Sequence, residues 1–233
     1  MKSKTPVKAT TKSKLDAKTR FQQIYNTIRE RICLLQFPPG MLLSENGLAA
    51  EFGISRTPIR RVLQRLEYEG LVSSQHGVGT LVTTVDIKLL KEVYILRIKL
   101  AELIGELTPV IFTIEDDLQP LEDLLIQCNE LQGRRDPIAL GRINLALNNT
   151  IVSFIGNQPL QEITDRLFYQ TARVWQQLLS DMNWEQEVEL LAQEISQIIE
   201  ALRTEDTKKF GQIRRDHIAL CLNRMNQYLV IQS

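Results

Sequence analysis

Residues 54–72 read ISRTPIRRVLQRLEYEGLV and predict one short helix with an apolar side and a basic side. Ser55 is a favourable N-cap, Pro58 falls in the first turn, where its missing N–H costs nothing, and Gly70 ends the helix. Apolar residues at helical spacing form one side: Ile59, Val62, Leu63 and Leu66. Polar residues share the other side: Arg56, Arg60 and Gln64. One side is therefore expected to pack, which leaves the arginines free to bind another molecule.

The residues around this helix complete a small module. An amphipathic helix is predicted over 20–35, and a second short helix follows between Ser44 and Gly53. Two short β-like runs, 71–75 and 80–83, flank a glycine-rich stretch and predict a hairpin. Three helices followed by a hairpin are typical of a winged helix-turn-helix.

Helical periodicity then continues from Asp86 to the last residue. The predicted helices lie near 86–108, 114–132, 136–155, 158–181, 184–203 and 206–229. Helices of this length with short connections form an antiparallel bundle that buries its own core. The predicted fold is mostly α. It comprises a basic flexible tail over 1–18, a winged helix-turn-helix over 19–84 and an all-α antiparallel bundle of six or seven helices over 85–233.

A net charge of zero conceals an asymmetry between these parts. Up to Val85 the chain has 13 Lys and Arg against 6 Asp and Glu, a net charge of +7, and the remainder carries −7. A basic module joined to an acidic one indicates a polyanionic partner for the first part only. Six of the lysines lie in the tail, which either attracts phosphates without regard to sequence or only improves solubility.

Composition also argues against several classes of protein. No apolar run approaches the roughly 18 residues that span a bilayer, so we expect a cytoplasmic protein without membrane contact. Three widely separated cysteines indicate neither a disulfide framework nor a zinc ribbon. The chain has two histidines, no evident pair of acids on a common face and no nucleophile near a base, which disfavours an enzyme.

Residues 43–82, LSENGLAAEFGISRTPIRRVLQRLEYEGLVSSQHGVGTLV, resemble the winged-helix domain of the GntR family of bacterial transcriptional regulators. The shared motifs are the Ser-Glu start, Phe-Gly-Ile-Ser-Arg-Thr-Pro, Glu-Gly-Leu-Val and the glycine-rich wing. The helical part is similar to the FCD effector domain of the FadR-like subgroup. That similarity rests on Val-Tyr-Ile-Leu-Arg at 93–97 and Ile-Gly-Asn-Gln-Pro-Leu at 155–160.

The resemblance implies a set of DNA-contacting residues: Ser55, Arg56, Thr57 and Arg60 on the central helix, Asn46 before it, and His76 and Gly77 on the wing. Asn46 stands where many members have a contacting arginine. Chemistry supports the helix, because arginine can donate two hydrogen bonds to guanine while hydroxyl groups hold phosphates. The alternatives are solvated surface arginines and an idle polar His76, and Arg61 is expected to face a phosphate or solvent.

Many FCD domains bind a divalent metal, and the resemblance places Asn144, Asn148, Ile195 and His217 at the ligand positions. Two amides, an aliphatic chain and one imidazole are too few strong donors for a transition metal. We therefore expect no metal and no cofactor. The same four residues and Arg97 form a candidate effector pocket, with Arg97 as the partner of a small carboxylate. The alternative is a closed, hydrogen-bonded core without a ligand.

The expected function is sequence-specific DNA binding as a homodimer that regulates transcription from a near-palindromic, double-stranded operator. A small-molecule effector in the helical domain would shift the placement of the two winged helices. Two other functions stay open at this point. One is an architectural DNA-binding protein without a ligand, and the other, less well supported, is an enzyme in the helical domain.

Overall fold

A computed structural model of the protein describes residues 8–84, 86–108 and 114–231. The chain divides after Thr84 into two compact units, except that residues 33–35 group with the second unit. The first unit contains three helices and three strands: α1 (Lys8–Cys33), β1 (Leu42–Leu43), α2 (Glu45–Glu51), α3 (Arg56–Tyr68), β2 (Val72–Gln75) and β3 (Gly79–Val82). The second contains α4 (Ile87–Leu107), α5 (Ile114–Asn129), α6 (Pro137–Phe154), α7 (Gln158–Leu178), α8 (Trp184–Arg203) and α9 (Thr207–Ile231). The predicted fold class, a winged helix-turn-helix followed by an all-α part, is confirmed.

Helix α1 differs from its prediction at both ends. It begins at Lys8 instead of residue 20, because the intervening residues are mostly helix formers and include neither Pro nor Gly. It ends at Cys33, and Leu35 then adopts a left-handed backbone with φ of 58°. The predicted flexible tail therefore overlaps a helix from Lys8 onward. The first seven residues of that tail lie outside the described residues.

The sheet has one strand more than the predicted hairpin. β3 is central and pairs antiparallel with β2, where Gln75 lies opposite Gly79, and with β1, where Leu42 lies opposite Leu81. β1 has two residues, too few to show an alternating pattern in the sequence, and its partner is far along the chain. The third strand fixes the base of the wing beside the start of α2.

Apolar sides of α1 and α3 form the core of the first unit. Ile28, Ile32, Ile59 and Leu66 are fully buried. Ser55 has the extended backbone of an N-cap, although its side chain makes no cap hydrogen bond. Gly53, between α2 and α3, has φ of 62°, a left-handed conformation that permits the tight turn between the two helices. Helix α3 thus presents the side opposite Ile59 to solvent, as its sequence pattern predicts.

Side-chain caps start several helices of the second unit. Asp86 accepts hydrogen bonds from the backbone N–H groups of Lys88 and Leu89, and Asn183 accepts one from Gln186. Helix α4 packs most extensively against α9. A Cβ atom added at Gly211 of α9 would lie 2.9 Å from the backbone nitrogen of Gly105 of α4, so these helices meet backbone to backbone. Within the described residues, none of the helices is long and apolar enough to cross a membrane.

Candidate functional sites: the exposed face of α3 and a cavity in the helical unit

Two arginines on the exposed face of α3 share one carboxylate. Arg56 and Arg60 lie one helical turn apart, with side chains 57% and 56% exposed. Glu45, in the first turn of α2, accepts a hydrogen bond from Arg56 Nη2 at 3.0 Å. It also accepts two from Arg60, from Nε at 3.1 Å and from Nη2 at 2.9 Å. Glu45 therefore holds both guanidinium groups while most of their N–H groups remain open to solvent.

These contacts leave the α3 face positively charged. Hydrogen bonds from Arg60 and then Arg56 hold the pKa of Glu45 below its usual value, and the bond to Glu45 raises the pKa of Arg60. The carboxylate is therefore ionised at neutral pH and cancels one of the two guanidinium charges. A net charge of one remains at this face, together with the hydroxyl groups of Ser55 and Thr57, both of which are exposed.

The other DNA-contacting residues implied by the resemblance lie on α2 and the wing. Asn46 is exposed in the first turn of α2 and lines a surface groove together with Glu45, Arg56 and the first residues of β3. His76 and Gly77 are exposed at the turn between β2 and β3 but do not line that groove. Asn46 thus lies beside the arginine face, and of the turn residues at the wing tip Val78 lines the groove while His76 and Gly77 do not.

Polar contacts, one of them buried, fix α3 on its scaffold. The hydroxyl of Tyr25 in α1 donates to both carboxylate oxygens of Glu69 at 2.7 and 2.8 Å, and the Arg65 guanidinium lies 4.0 Å from the centre of the Tyr25 ring. Glu67 accepts hydrogen bonds from the backbone N–H of Ser74 at 2.6 Å and from its hydroxyl at 3.0 Å. These contacts attach α1 and β2 to the C-terminal half of α3, which holds the exposed arginines in place.

The helical unit contains a cavity of about 40 Å³ lined by residues of α4, α6, α7, α8 and α9. Its polar lining includes Arg97, Asn144, Thr171, Glu187, Arg214 and His217. Aromatic and aliphatic side chains complete it, among them Tyr94, Phe168 and Trp175. By comparison with the space that one water molecule needs, this volume holds about three waters or a very small organic ligand.

Arg97 is the buried cation of this cavity that has no carboxylate partner among the described residues. Its Nη1 donates to the hydroxyl of Thr171 at 2.5 Å, and its guanidinium lies 5.4 Å from the ring centres of Tyr94 and Phe168. Burial lowers the pKa of Arg97, but a guanidinium stays protonated in proteins. A positive charge therefore faces the cavity, and among the described residues it contacts the Thr171 hydroxyl and the side chains of Tyr94 and Phe168.

Two buried carboxylates bind the other cations. Glu194, whose side chain is 1% exposed, forms an ion pair with Arg214 through Oε1. Its Oε2 lies 3.2 Å from His217 Nε2, close enough for an ion pair although not aligned for a hydrogen bond. Burial alone lowers the pKa of His217, but the Cys221 thiol and the Glu194 carboxylate outweigh it and raise this pKa to about 9.

The second carboxylate, Glu187, accepts a hydrogen bond from Trp175 Nε1 at 2.9 Å and pairs with Arg224. With His217 protonated, the lining and its immediate surroundings hold four cationic groups and two carboxylates. The cations are Arg97, Arg214, His217 and Arg224, and the carboxylates are Glu187 and Glu194. The cavity is therefore net positive.

The structure brings together three of the five residues predicted for the effector pocket. Arg97, Asn144 and His217 line the cavity, whereas Asn148 and Ile195 do not. Asn148 is buried, with its Nδ2 atom 3.4 Å from Asp165, and Ile195 lies in the apolar core. Neighbouring positions on a helix differ by 100°, so Glu194 contacts His217 while Ile195 points away.

Several residues that line the cavity were not predicted, namely Thr171, Glu187, Arg214 and Arg224, and neither was Glu194, which pairs with Arg214 behind the lining. A partial signal existed, because Glu194 and Arg214 occupy inward positions of apolar helical patterns, where a charge requires a buried partner. Over the described residues, no group of three or more His, Cys, Asp or Glu side chains is arranged to hold a metal ion.

Comparison with known proteins identifies both units. Residues 20–82 match the bacterial regulatory proteins of the gntR family, and residues 93–220 match the FCD domain. The HTH-type transcriptional regulator YdhC of Bacillus subtilis is 30% identical over 156 residues, which cover 66% of this chain and 69% of YdhC.

Solved structures show the same fold. E. coli McbR/YncC has a TM-score of 0.70 at 20% identity, covering 90% of this chain and 98% of its own. A putative GntR regulator from Rhodococcus sp. RHA1 has a TM-score of 0.69 at 18% identity, with the same coverage. The matched domains and the relative agree with the arginine-bearing α3 and the helical unit: this chain belongs to the GntR family, carries an FCD domain and is a DNA-binding transcriptional regulator.

Proposed function

We propose that this regulator binds a near-palindromic operator as a homodimer and that a small anion in the cavity of its helical unit controls the binding. The observation that carries this proposal is the exposed α3 face, where Arg56 and Arg60 are held side by side by Glu45. Arginines fixed in this way suit hydrogen bonds to guanine in the major groove. Ser55 and Thr57 would bind phosphates, and Asn46, His76 and Gly77 would contact the flanking DNA. Such a protein acts in the cytoplasm, where bacterial DNA lies.

An exposed leucine stripe on α4 supports the homodimer. Leu89, Leu96, Leu103 and Leu107 are 55%, 43%, 39% and 40% exposed in the described part of the chain. The first three recur every seven residues, so they lie along one side of α4, as in helices that pair with another helix. Lys88 lies near one end of α4 and Glu106 near the other, so antiparallel pairing with a second copy brings opposite charges together.

The cavity supports control by an anion. Its net positive charge favours an anionic ligand, and Arg97 still has N–H groups available beyond its bond to Thr171. A carboxylate there would receive charge-assisted hydrogen bonds in a buried site, where such bonds are strongest. Control requires that the ligand bind differently to two arrangements of the dimer.

The DNA-binding part is tested by selecting bound duplexes from a random pool and titrating the protein with the selected sequence and with random DNA. Arg60→Ala should reduce the ratio of the two affinities by about tenfold, the value of one lost bidentate base contact. Arg61→Ala is the matched control, because it removes the same charge from the next position of α3 and should weaken binding to both duplexes equally. An unchanged ratio for Arg60→Ala contradicts the assigned role. A pool without any enriched sequence would instead indicate an architectural DNA-binding protein.

A further inference from the structure

Glu45 places a negative charge at the centre of a surface that is proposed to approach DNA. Both of its oxygens are engaged, one by Arg60 and the other by Arg60 and Arg56 together. A carboxylate at such a surface repels the DNA backbone, so binding by charge alone would be stronger without it. Glu45 must therefore contribute something to DNA recognition that offsets this loss of affinity.

We propose that Glu45 is a specificity-determining residue: it orients Arg56 and Arg60 toward base edges and disfavours their capture by phosphates. This inference rests on the proposed DNA-reading function of α3. Glu45 itself need not touch DNA, so it is a positioning residue, and its effect belongs to the choice between DNA sequences.

The hydrogen-bond pattern of Arg60 supports the orienting role. A guanidinium can present two parallel N–H groups along either of two edges, one formed by Nε and Nη2 and the other by Nη1 and Nη2. Glu45 occupies the first edge, with bonds of 3.1 and 2.9 Å. The second edge remains for a bidentate contact, such as the O6 and N7 acceptors of guanine. An exposed arginine that no carboxylate holds in place would have to lose rotamer freedom when it binds DNA.

The negative charge of Glu45 supports its role in favouring base contacts over phosphate contacts. A phosphate carries a full negative charge, whereas a base edge carries only partial charges, so a fixed carboxylate opposes a phosphate contact more strongly. Binding to random DNA relies on phosphate contacts almost entirely, while operator binding also includes base contacts. Glu45 should therefore weaken binding to random-sequence DNA more than binding to the operator. Specific recognition often contains a repulsive element of this kind.

Helix α2 offers a matched control. Glu51, at the other end of the same helix, pairs with Arg31 of α1 at 2.6 Å instead of with the arginines of α3. Glu51→Gln and Glu45→Gln remove the same charge from the same helix, and only Glu45→Gln releases Arg56 and Arg60. Glu45→Asp keeps the charge but shortens the side chain, which separates orientation from electrostatics.

The experiment measures the affinity of the full-length protein for the selected operator and for a random duplex over a series of salt concentrations. Glu45→Gln should lower the operator-to-random ratio by about tenfold. It should also steepen the salt dependence for random DNA by about 0.9 in log–log slope, because one more phosphate is neutralised. Glu45→Asp should keep the wild-type slope and lose operator affinity. Glu51→Gln should keep the wild-type ratio.

A ratio for Glu45→Gln that equals the ratio for Glu51→Gln overturns the inference, and so does wild-type operator binding by Glu45→Asp. If Arg60→Ala lowers the ratio while Glu45→Gln does not, only this inference fails and the proposed DNA-reading function stands. An unchanged ratio in Arg60→Ala instead removes the proposed function on which the inference depends.

Discussion

His217 shows how a single buried residue connects the protonation of the cavity with the stability of the fold. Its imidazole lies beside the Glu194 carboxylate, and its pKa of about 9 means that it enters the folded protein as a cation at neutral pH. The charge at this position is therefore suited to an anion.

We predict that the stability contributed by His217 depends on pH. Because the folded pKa, about 9, lies above the unfolded value of 6.5, protonation favours the folded state. This contribution is fully present below pH 6.5 and is lost as the pH rises toward 9. It amounts to at most about 3 kcal/mol.

Urea unfolding of the wild type and of His217→Gln across this pH range measures the effect, because the variant should lack this component. His76→Gln is the control, since His76 is exposed on the wing and should leave the pH dependence unchanged. If the free energies of unfolding of the wild type and His217→Gln change in parallel with pH, His217 is not the source of the pH dependence.

The sequence predicts which side chains face solvent better than it predicts which residues they contact. The apolar pattern of α3 predicts the exposure of Arg56 and Arg60, because helical periodicity alone determines which side packs. Their bonds to Glu45 depend on the turn between α2 and α3, which local patterns do not specify. The resemblance to FCD domains places Asn148 and Ile195 in the effector pocket because they stand at metal-ligand positions of that family, but neither lines the cavity.

Among the elements, α4 contributes to two surfaces. Its inner side carries Arg97 to the cavity, and its outer side carries the leucine stripe. Exposed leucines at seven-residue spacing are costly to leave in water, which is why a second copy is expected to cover them.

We predict that Leu96→Glu weakens dimerisation by at least about 100-fold. Pairing would bury the exposed 43% of Leu96, and Leu96→Glu places an unpaired carboxylate there instead, twice in a two-fold interface. Sedimentation equilibrium measures the change. Ile126→Glu is the matched control, because Ile126 of α5 is 58% exposed and lies outside the stripe. Equal dissociation constants for the two variants would contradict pairing through α4.

Elements with clear periodicity and caps were predicted almost to the residue, as α8 shows with its start after Asn183. The strand β1 was missed because two residues carry no period, and only their pairing with β3 makes them a strand. The early start of α1 was missed because helix propagation through lysine and alanine needs no apolar stripe. Local sequence patterns thus predict most helices and strands, but not β1, which depends on a distant pairing partner.

For the whole molecule, the order of domains and the opposite charges of the two parts are visible in the sequence, whereas no pattern in it specifies a ligand for the cavity. We predict that a screen of small carboxylates finds compounds that raise the melting temperature of the wild type but not of Arg97→Met, which keeps the volume and removes the charge. A ligand at 100 times its Kd should add about 2.7 kcal/mol of stability.

The same compounds should change the operator affinity, and the operator should change their affinity by the same factor. Stabilisation of both proteins alike, or stabilisation without any effect on operator binding, would contradict control through the cavity.

The backbone contact between Gly105 of α4 and Gly211 of α9 has a mechanical consequence. No side chain lies between the two helices at this crossing, so there is no soft layer to absorb a displacement. Arg214 and His217 follow this crossing on α9 within two turns, and Leu103 and Leu107 flank it on α4. We therefore expect a ligand that displaces α9 to displace α4 with it, so that a change in the cavity reaches the leucine stripe.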